Sequence, residues 1–207
     1  RTLVVLPVLI SDVKRAAQML RRMETLGCME ADPDVEFLLL GDFRDAECAH
    51  MPEDDEILSA LRRGIDRLNR GTEKYHLLMR GRSYREIDGR WMGKNRKRGA
   101  LMELNRLLLD TAGAAEAFSA ESAAAARIAG RFSYVITLDA DTEYIPGTVQ
   151  RLVGAMHHPM NRPRMEKGVQ KGYAVLQPCM QTDADTVRSA YARLMAGWGG
   201  MDGYPFS

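Results

Sequence analysis

Two carboxylates one residue apart, Asp139 and Asp141, close an apolar run in Tyr-Val-Ile-Thr-Leu-Asp-Ala-Asp-Thr at 134–142. In an extended segment alternate side chains share a face, so the pair can address a single ligand. Mg²⁺ and Mn²⁺ are hard ions, held through one or two such carboxylates together with the phosphates of a substrate. The expectation is therefore a metal and diphosphate site. A second reading stays open, in which one of the two merely caps a helix starting near Pro146. The aspartate-based phosphatase pattern D-x-D-x-Thr/Val does not fit, because its fifth position is Glu143 and the strand before it is about the fourth of the chain rather than the first.

From Arg80 to Arg98 eight Lys or Arg residues stand against Glu86 and Asp88, with Trp91 among them. Such a run can neutralise phosphates, Arg through bidentate hydrogen bonds and Lys as a point charge, or it can be a solvated loop. A net charge of +1 and a lone Trp in the run argue against nucleic acid as a partner. Asp42, just past an apolar run, can accept a hydrogen bond from a base or ribose, or simply make a turn. His50, His76, His157 and His158 have no metal-ligand spacing and read as surface or structural. Neither a G-x-x-x-x-G-K-[ST] loop nor a G-x-G-x-x-G turn follows the first strand, which excludes a P-loop NTPase and a dinucleotide-binding oxidoreductase.

The elements that must position these groups alternate. Thr2 to Ile10 reads as a strand buried on both faces and ended by Pro7; a helix capped by Ser11 or Asp12 follows and stops at Gly27. Val35 to Leu40 is a second strand, Pro52 to Asn69 a helix closed by Gly71, and Tyr75 to Met79 a third strand. Gly81 to Gly93 reads as a loop and Leu101 to Leu109 as a helical stretch. The alanine-rich 112–129 segment is either a weakly amphipathic helix or an insertion. Tyr134 to Leu138 is a fourth strand, Tyr173 to Leu176 a fifth, and Thr186 to Met195 a short helix. This order predicts an α/β domain with a mostly parallel sheet, whose ligands sit beyond the carboxyl ends of the strands. The length suits one core and the composition, 45% apolar and 28% charged, is that of a folded globular chain. Cys28, Cys48 and Cys179 form no C-x-x-C pair, which fits a reducing setting, and no signal-peptide pattern or membrane-length apolar stretch is present. The segment is expected to be soluble.

Several of these pieces stand together in a recognisable order: Arg-Thr-Leu-Val-Val at the start, Leu-Leu-Gly-Asp-Phe-Arg-Asp-Ala at 39–46, and Trp-Met-Gly-Lys-Asn-Arg-Lys-Arg-Gly-Ala-Leu-Met-Glu-Leu-Asn at 91–105. The D-x-D run at 134–142, His-Pro-Met-Asn-Arg-Pro at 158–163 and Tyr-Ala-Val-Leu-Gln-Pro at 173–178 follow. Over nearly its whole length the chain resembles the glycosyltransferase domain of bacterial cyclic β-1,2-glucan synthases, with the Trp-to-Asn stretch as the most specific element.

The resemblance implies a GT-A fold, a Rossmann-like nucleotide-sugar-binding domain over 1–207. Its nucleotide-binding half covers about 1–145, and an incomplete acceptor half begins at about 146–207. It implies an inverting glucosyltransferase that takes glucose from UDP-glucose, with Mg²⁺ or Mn²⁺, and builds β-1,2-glucan on a glucan acceptor. Asp139 and Asp141 would hold the metal; Pro7, Asp42, Lys97, Arg98, Asn105 and Asp139 would contact the donor. Val8 stands where the family commonly has Thr, so no side-chain hydrogen bond comes from that position. The segment would belong to a larger membrane-embedded synthase, on the cytoplasmic face of the bacterial inner membrane. Its general base is expected beyond Ser207, so that the chain alone binds donor without useful transfer. The alternative is a non-catalytic nucleotide-binding or interaction module that keeps the fold.

Overall fold

The computed structural model describes residues 1–118, 125, 127–142 and 145–178. Strands β1 (Thr2–Ile10), β2 (Val35–Phe43), β3 (Tyr75–Arg80) and β6 (Tyr134–Thr137) form one sheet in the order β3-β2-β1-β6, with every pairing parallel. Between them run α1 (Val13–Met29), α2 (Pro52–Leu68), a hairpin of β4 (Ser83–Arg85) and β5 (Arg90–Met92), and α3 (Arg96–Leu108). The α/β class and the parallel sheet are as the alternation of apolar runs predicts. This is a Rossmann-like arrangement: the chain winds outward from β1 to β3, then crosses back to place β6 on the other side of β1.

At β1, β2 and β3 both faces of the sheet are covered, which is why these strands are mostly apolar runs rather than alternating ones, whereas β6 alternates and leaves Val135 39% exposed. On one face Leu3, Val5, Leu38, Leu40 and Leu78 pack with Ala100, Leu104 and Leu107 of α3 and with Phe118, Ala125 and Ile128. The helices α1 and α2 bury Ala16, Met19, Leu20, Met23, Ile57, Leu61 and Ile65. They approach closely, because a Cβ at Gly64 would lie 2.2 Å from Leu20 Cδ1. Asp12 starts α1 by accepting from the Arg15 backbone N–H at 2.7 Å.

Several local readings are corrected. Pro7 does not end β1, which continues to Ile10. Leu138 N–H donates to the Val5 carbonyl, so odd-numbered residues of β1 face β6. Pro7 therefore lacks its N–H on a side where β6 has already ended, and no ladder bond is lost. Gly27 does not stop α1 either; it lets the Tyr75 ring close against the helix, where a Cβ would fall 1.8 Å from the Tyr75 hydroxyl oxygen. The 81–93 loop is the β4–β5 hairpin, and α3 begins at Arg96, five residues before the apolar periodicity shows it.

The chain divides into compact units at Arg1–Val149 and Gln150–Ser207, with α4 (Thr148–His157) running across that boundary. In the second unit β7 (Arg164–Glu166) and β8 (Val169–Lys171) form a hairpin that the sequence reading missed. Its two turn residues, Lys167 and Gly168, both have positive φ, as a tight two-residue hairpin turn requires. Tyr173 to Leu176 is not a strand: Tyr173 is 55% and Val175 81% exposed, and apolar residues without a sheet to join do not pair. The 112–129 segment contributes a 3₁₀ turn at Ala114–Ala117 and core contacts through Ala125 and Ile128, part of it lying outside the described residues, as does the helix read at 186–195. Among the described residues no helix is long and apolar enough to cross a membrane.

At the amino ends of β2 and β3, His76 Nε2 lies 2.6 Å from Glu36 Oε2, both side chains buried, and Arg131 donates to Glu36 Oε1 at 2.8 Å. Burial pushes the imidazole below the usual histidine value of 6.5, and the Glu36 hydrogen bond and charge offset part of that. The folded protein thus holds His76 neutral more firmly than the unfolded chain does, so the unfolded state binds more protons below 6.5. Stability is fully present above that pH and is lost as pH falls through it towards the lower folded value. Urea midpoints should drop between pH 7.5 and 5.5, above the range where ordinary carboxylates titrate, and His76→Gln should remove most of that drop.

A helix-interior Gly→Ala change ordinarily gains about 1 kcal/mol, whereas forcing atoms into a packed core costs about 1–3 kcal/mol. Tyr75 is buried and stacked on Phe37 with centroids 5.8 Å apart, so it cannot simply swing aside. Gly27→Ala should lower stability by about 1 kcal/mol in denaturant unfolding. In a Tyr75→Phe background, without the nearest clashing atom, the loss should shrink.

Candidate functional site

The carboxyl ends of the strands gather most of the residues singled out by type and spacing. Asp42 in β2 and Arg80, the last residue of β3, are partners in register. Arg80 is 2% exposed and donates Nε to Asp42 Oδ1 at 2.7 Å and Nη2 to Asp42 Oδ2 at 2.6 Å. Its remaining donors reach Glu103 Oε2 at 2.9 Å and the carbonyls of Lys94 and Arg96 at 3.0 Å each. All five guanidinium N–H groups are therefore used. Burial opposes the charge, but hydrogen bonds and charge from Asp42 and then Glu103 hold the Arg80 proton more tightly than usual.

This node fixes the start of α3. Asn95 and Arg96 take left-handed backbone angles, φ 54° and 47°, which for non-glycine residues cost of order 1–3 kcal/mol each. The helix then opens on Arg96, Lys97 and Arg98, all exposed and all at the positive end of the helix dipole. Gly93 is required beneath them, since a Cβ there would lie 2.5 Å from Asp42 Oδ2 and 3.0 Å from Arg80 Nη2. A strained turn, three like charges and an unfavourable dipole contact stand together at one point. That combination suits an anion, to which helix N-termini present backbone N–H groups.

Of these cations, Lys97 meets the D-x-D segment at the place where the winding reverses, between β1 and β6. Asp139 and Asp141 follow the end of β6 and are both exposed. They do not lie in extended chain: Thr142 N–H closes a turn onto the Asp139 carbonyl at 3.0 Å, so the pair stands on a turn rather than on one face of a strand. Lys97 pairs with the Asp139 carboxylate, and Arg22 of α1 donates to the Thr142 carbonyl at the far end of the turn. Arg96 reaches across to Asp45 at 2.8 Å. Two exposed carboxylates on one turn are hard oxygen donors, a set that fits Mg²⁺ or Mn²⁺ when phosphate and water complete the shell.

Lys97 and Asp139 are thus brought together, with Asp141 two residues on in the same turn, and Arg98 stands exposed in the same first turn of α3. Asp42 is tied to this group through Arg80, its carboxylate spent on the guanidinium. Pro7 is buried within β1. Asn105 is exposed, about 12 Å further along α3 than Lys97 at 1.5 Å per residue. Sequence reasoning gave no role of their own to Arg80, Glu103 and Arg22. An Arg ending an otherwise apolar strand is a usable signal, because a cation there must be paired if it is buried.

The fold and the site define a Rossmann-like α/β domain with an acidic turn at its topological switch point and a basic helix start against it. The chain matches no family model. It is 34% identical over 217 aligned positions to the cyclic beta-(1,2)-glucan synthase NdvB of Rhizobium meliloti (strain 1021), an alignment that takes in the whole chain but only 8% of that protein's length. The chain is thus related to one segment of a much larger synthase.

Removing one partner of a buried, hydrogen-bonded charge pair typically costs about 3–5 kcal/mol. Arg80→Met, which strands Asp42 and Glu103 and frees two backbone carbonyls, should destabilise by that order in urea unfolding. Arg80→Lys keeps the charge but supplies three donors from a point instead of five from a fork, and should recover only part of the loss.

Proposed function

We propose that this chain is the donor-binding part of an inverting, metal-dependent glucosyltransferase of GT-A type, which transfers glucose from UDP-glucose to a growing β-1,2-glucan. The observation that carries this reading is the turn bearing Asp139 and Asp141 at the switch point, with Lys97 of the basic α3 start set against it. The relation to a glucan synthase segment supports the choice of sugar chemistry.

In this reading Asp139 and Asp141 hold Mg²⁺ or Mn²⁺ against the donor diphosphate. The ion would supply Lewis-acid stabilisation of the departing UDP, a contribution of several kcal/mol in such sites. Lys97, paired with Asp139 in the free protein, would be free to bind a phosphate oxygen of the donor were that carboxylate engaged by a metal. Arg98 adds charge in the same first turn of α3, whose positive dipole end favours an anion. Asp42 acts through Arg80, holding the strained turn in its binding form, and Pro7 acts from within β1, two residues past the last register pair with β6. An acceptor 2-hydroxyl then attacks the anomeric carbon from the side opposite the leaving UDP, which inverts the configuration and needs a base for the hydroxyl proton. The whole synthase would present this segment on the cytoplasmic side of the membrane, where UDP-glucose is made.

Calorimetry with UDP, with and without Mn²⁺, tests the reading. Mn²⁺ should strengthen UDP binding by at least about tenfold, and Asp141→Ala should abolish that gain while leaving the weaker metal-free binding in place. If the variant keeps the full metal-dependent gain, the assignment of Asp141 is wrong.

A further inference from the structure

A second group of residues at the same end of the sheet, carried by the 43–51 loop after β2 and by the β4–β5 hairpin, is not used by the donor site. Tyr84 and Trp91 are partners across the hairpin, their ring centroids 5.7 Å apart and their planes inclined at 55°. Cross-strand aromatic pairs stabilise a hairpin, yet Tyr84 remains 54% exposed. Beside the pair lies an open depression of about 280 Å³ lined by Arg44, Asp45, Ala46, Glu47, Met51 and Arg90. The two features are continuous, because Ala46 and Trp91 exchange both backbone hydrogen bonds at 2.9 Å.

The hairpin is rigidly seated. Arg82, just before it, donates to both carboxylate oxygens of Asp54 in α2 and to the carbonyls of Arg44 and Ala49, and its guanidinium lies 5.1 Å from the Phe43 ring centroid. The surface is thus preformed, which spares a ligand the cost of ordering it.

The chemistry of the lining selects the class of ligand. Two guanidinium groups and two carboxylates rim the depression, and one of the carboxylates, Asp45, is also paired with Arg96 at 2.8 Å. The rim thus offers both hydrogen-bond donors and acceptors rather than cations alone, and a bare phosphate there would meet the Glu47 and Asp45 carboxylates. Neutral hydroxyls can use both kinds, donating to carboxylates and accepting from guanidinium N–H groups. The apolar floor of Ala46 and Met51 and the flat rings of Tyr84 and Trp91 suit the C–H faces of a pyranose, whose hydroxyls lie around its edge. The volume is below the roughly 300–1,000 Å³ of pockets that enclose a drug-sized ligand, so it suits a ring or two of a chain laid across it.

We propose that the β4–β5 hairpin and the adjoining depression form a saccharide-binding surface that holds the acceptor glucan chain beside the donor site; this rests on the glucosyltransferase reading above. The loop lining the depression leaves β2, which lies two strand positions from β6, a lateral separation of about 10 Å. A chain of a few sugars spans that distance.

The test titrates the full 207-residue chain with linear β-1,2-linked glucose oligomers, without UDP or metal, following the Trp91 indole resonance by NMR and the affinity by calorimetry. Saturable binding that moves this resonance is expected, weakened at least about tenfold in both Tyr84→Ala and Arg90→Ala. Mn²⁺-dependent UDP affinity in Tyr84→Ala should stay within about twofold of the parent. Absence of a saturable shift at Trp91 overturns the proposal. So does unchanged oligomer affinity in both variants when their melting temperatures match the parent's. A Trp91 shift produced by UDP but not by the oligomer also overturns it, assigning the depression to the nucleotide. The saccharide titration contains no UDP, so its failure is distinguishable from a failure of the donor assignment, which is read at Asp141.

Discussion

The five-donor engagement of Arg80 is the constraint on which the functional end of the molecule depends. A guanidinium buried to 2% exposure is tolerable only if its charge and all its N–H groups are met, and here they are met by four residues from three segments. Asp42 comes from β2, Glu103 from the middle of α3, and the carbonyls of Lys94 and Arg96 from the turn between the hairpin and that helix. None of these segments can move independently without leaving a buried polar group unpaired. The left-handed residues Asn95 and Arg96 are held in place this way, and with them the cations that face the acidic turn after β6. The strain is local, and the interactions that maintain it lie one layer deeper.

The two ends of the sheet make a contrast. At the amino ends, the Glu36 carboxylate is surrounded by His76, Arg131 and Arg1 and so has little left to offer a ligand, while His76 Nδ1 stays buried without a partner among the described residues. At the carboxyl ends, exposed acids and exposed bases are brought near each other from separate elements, with Lys97 and Asp139 paired across solvent-accessible positions. Exposed pairs of this kind contribute little stability and exchange partners easily. The same residue types thus serve as mortar at one end and as replaceable contacts at the other. The difference is burial, which local sequence does not report.

What could be read from the sequence follows the same division. β1 and β2 are legible because strands buried on both faces must be apolar throughout, and Asp139 and Asp141 are legible as carboxylates that end such a run. The turn on which the pair stands is not, since it depends on Lys97 and Arg22 arriving from elsewhere. Pro7 and Gly27 read as stops because local propensity makes them so, and each is overridden by a neighbour distant in sequence: the early end of β6 for one, the ring of Tyr75 for the other. The start of α3 is hidden for a physical reason, because uncapped left-handed residues followed by cations violate every local rule for beginning a helix. Tyr173 to Leu176 shows the opposite failure, good strand residues that pair with no strand among the described residues and leave Tyr173 and Val175 largely exposed. Arg80 is separated by 38 and 23 residues from the acids that justify it, and no window of local pattern spans that distance.

The early end of β6 has a further consequence for how the molecule meets others of its kind. Beyond Val5, the side of β1 that faced β6 has no strand partner among the described residues, although the strand itself runs on to Ile10. A bare half-edge of this sort is a template on which another chain can add a strand. Along it the backbone would offer donors at positions 7 and 9, and the first of these is proline. Only the Leu9 N–H remains, too little to hold a foreign strand in register. Pro7 therefore works against edge-to-edge association along this half-edge of β1.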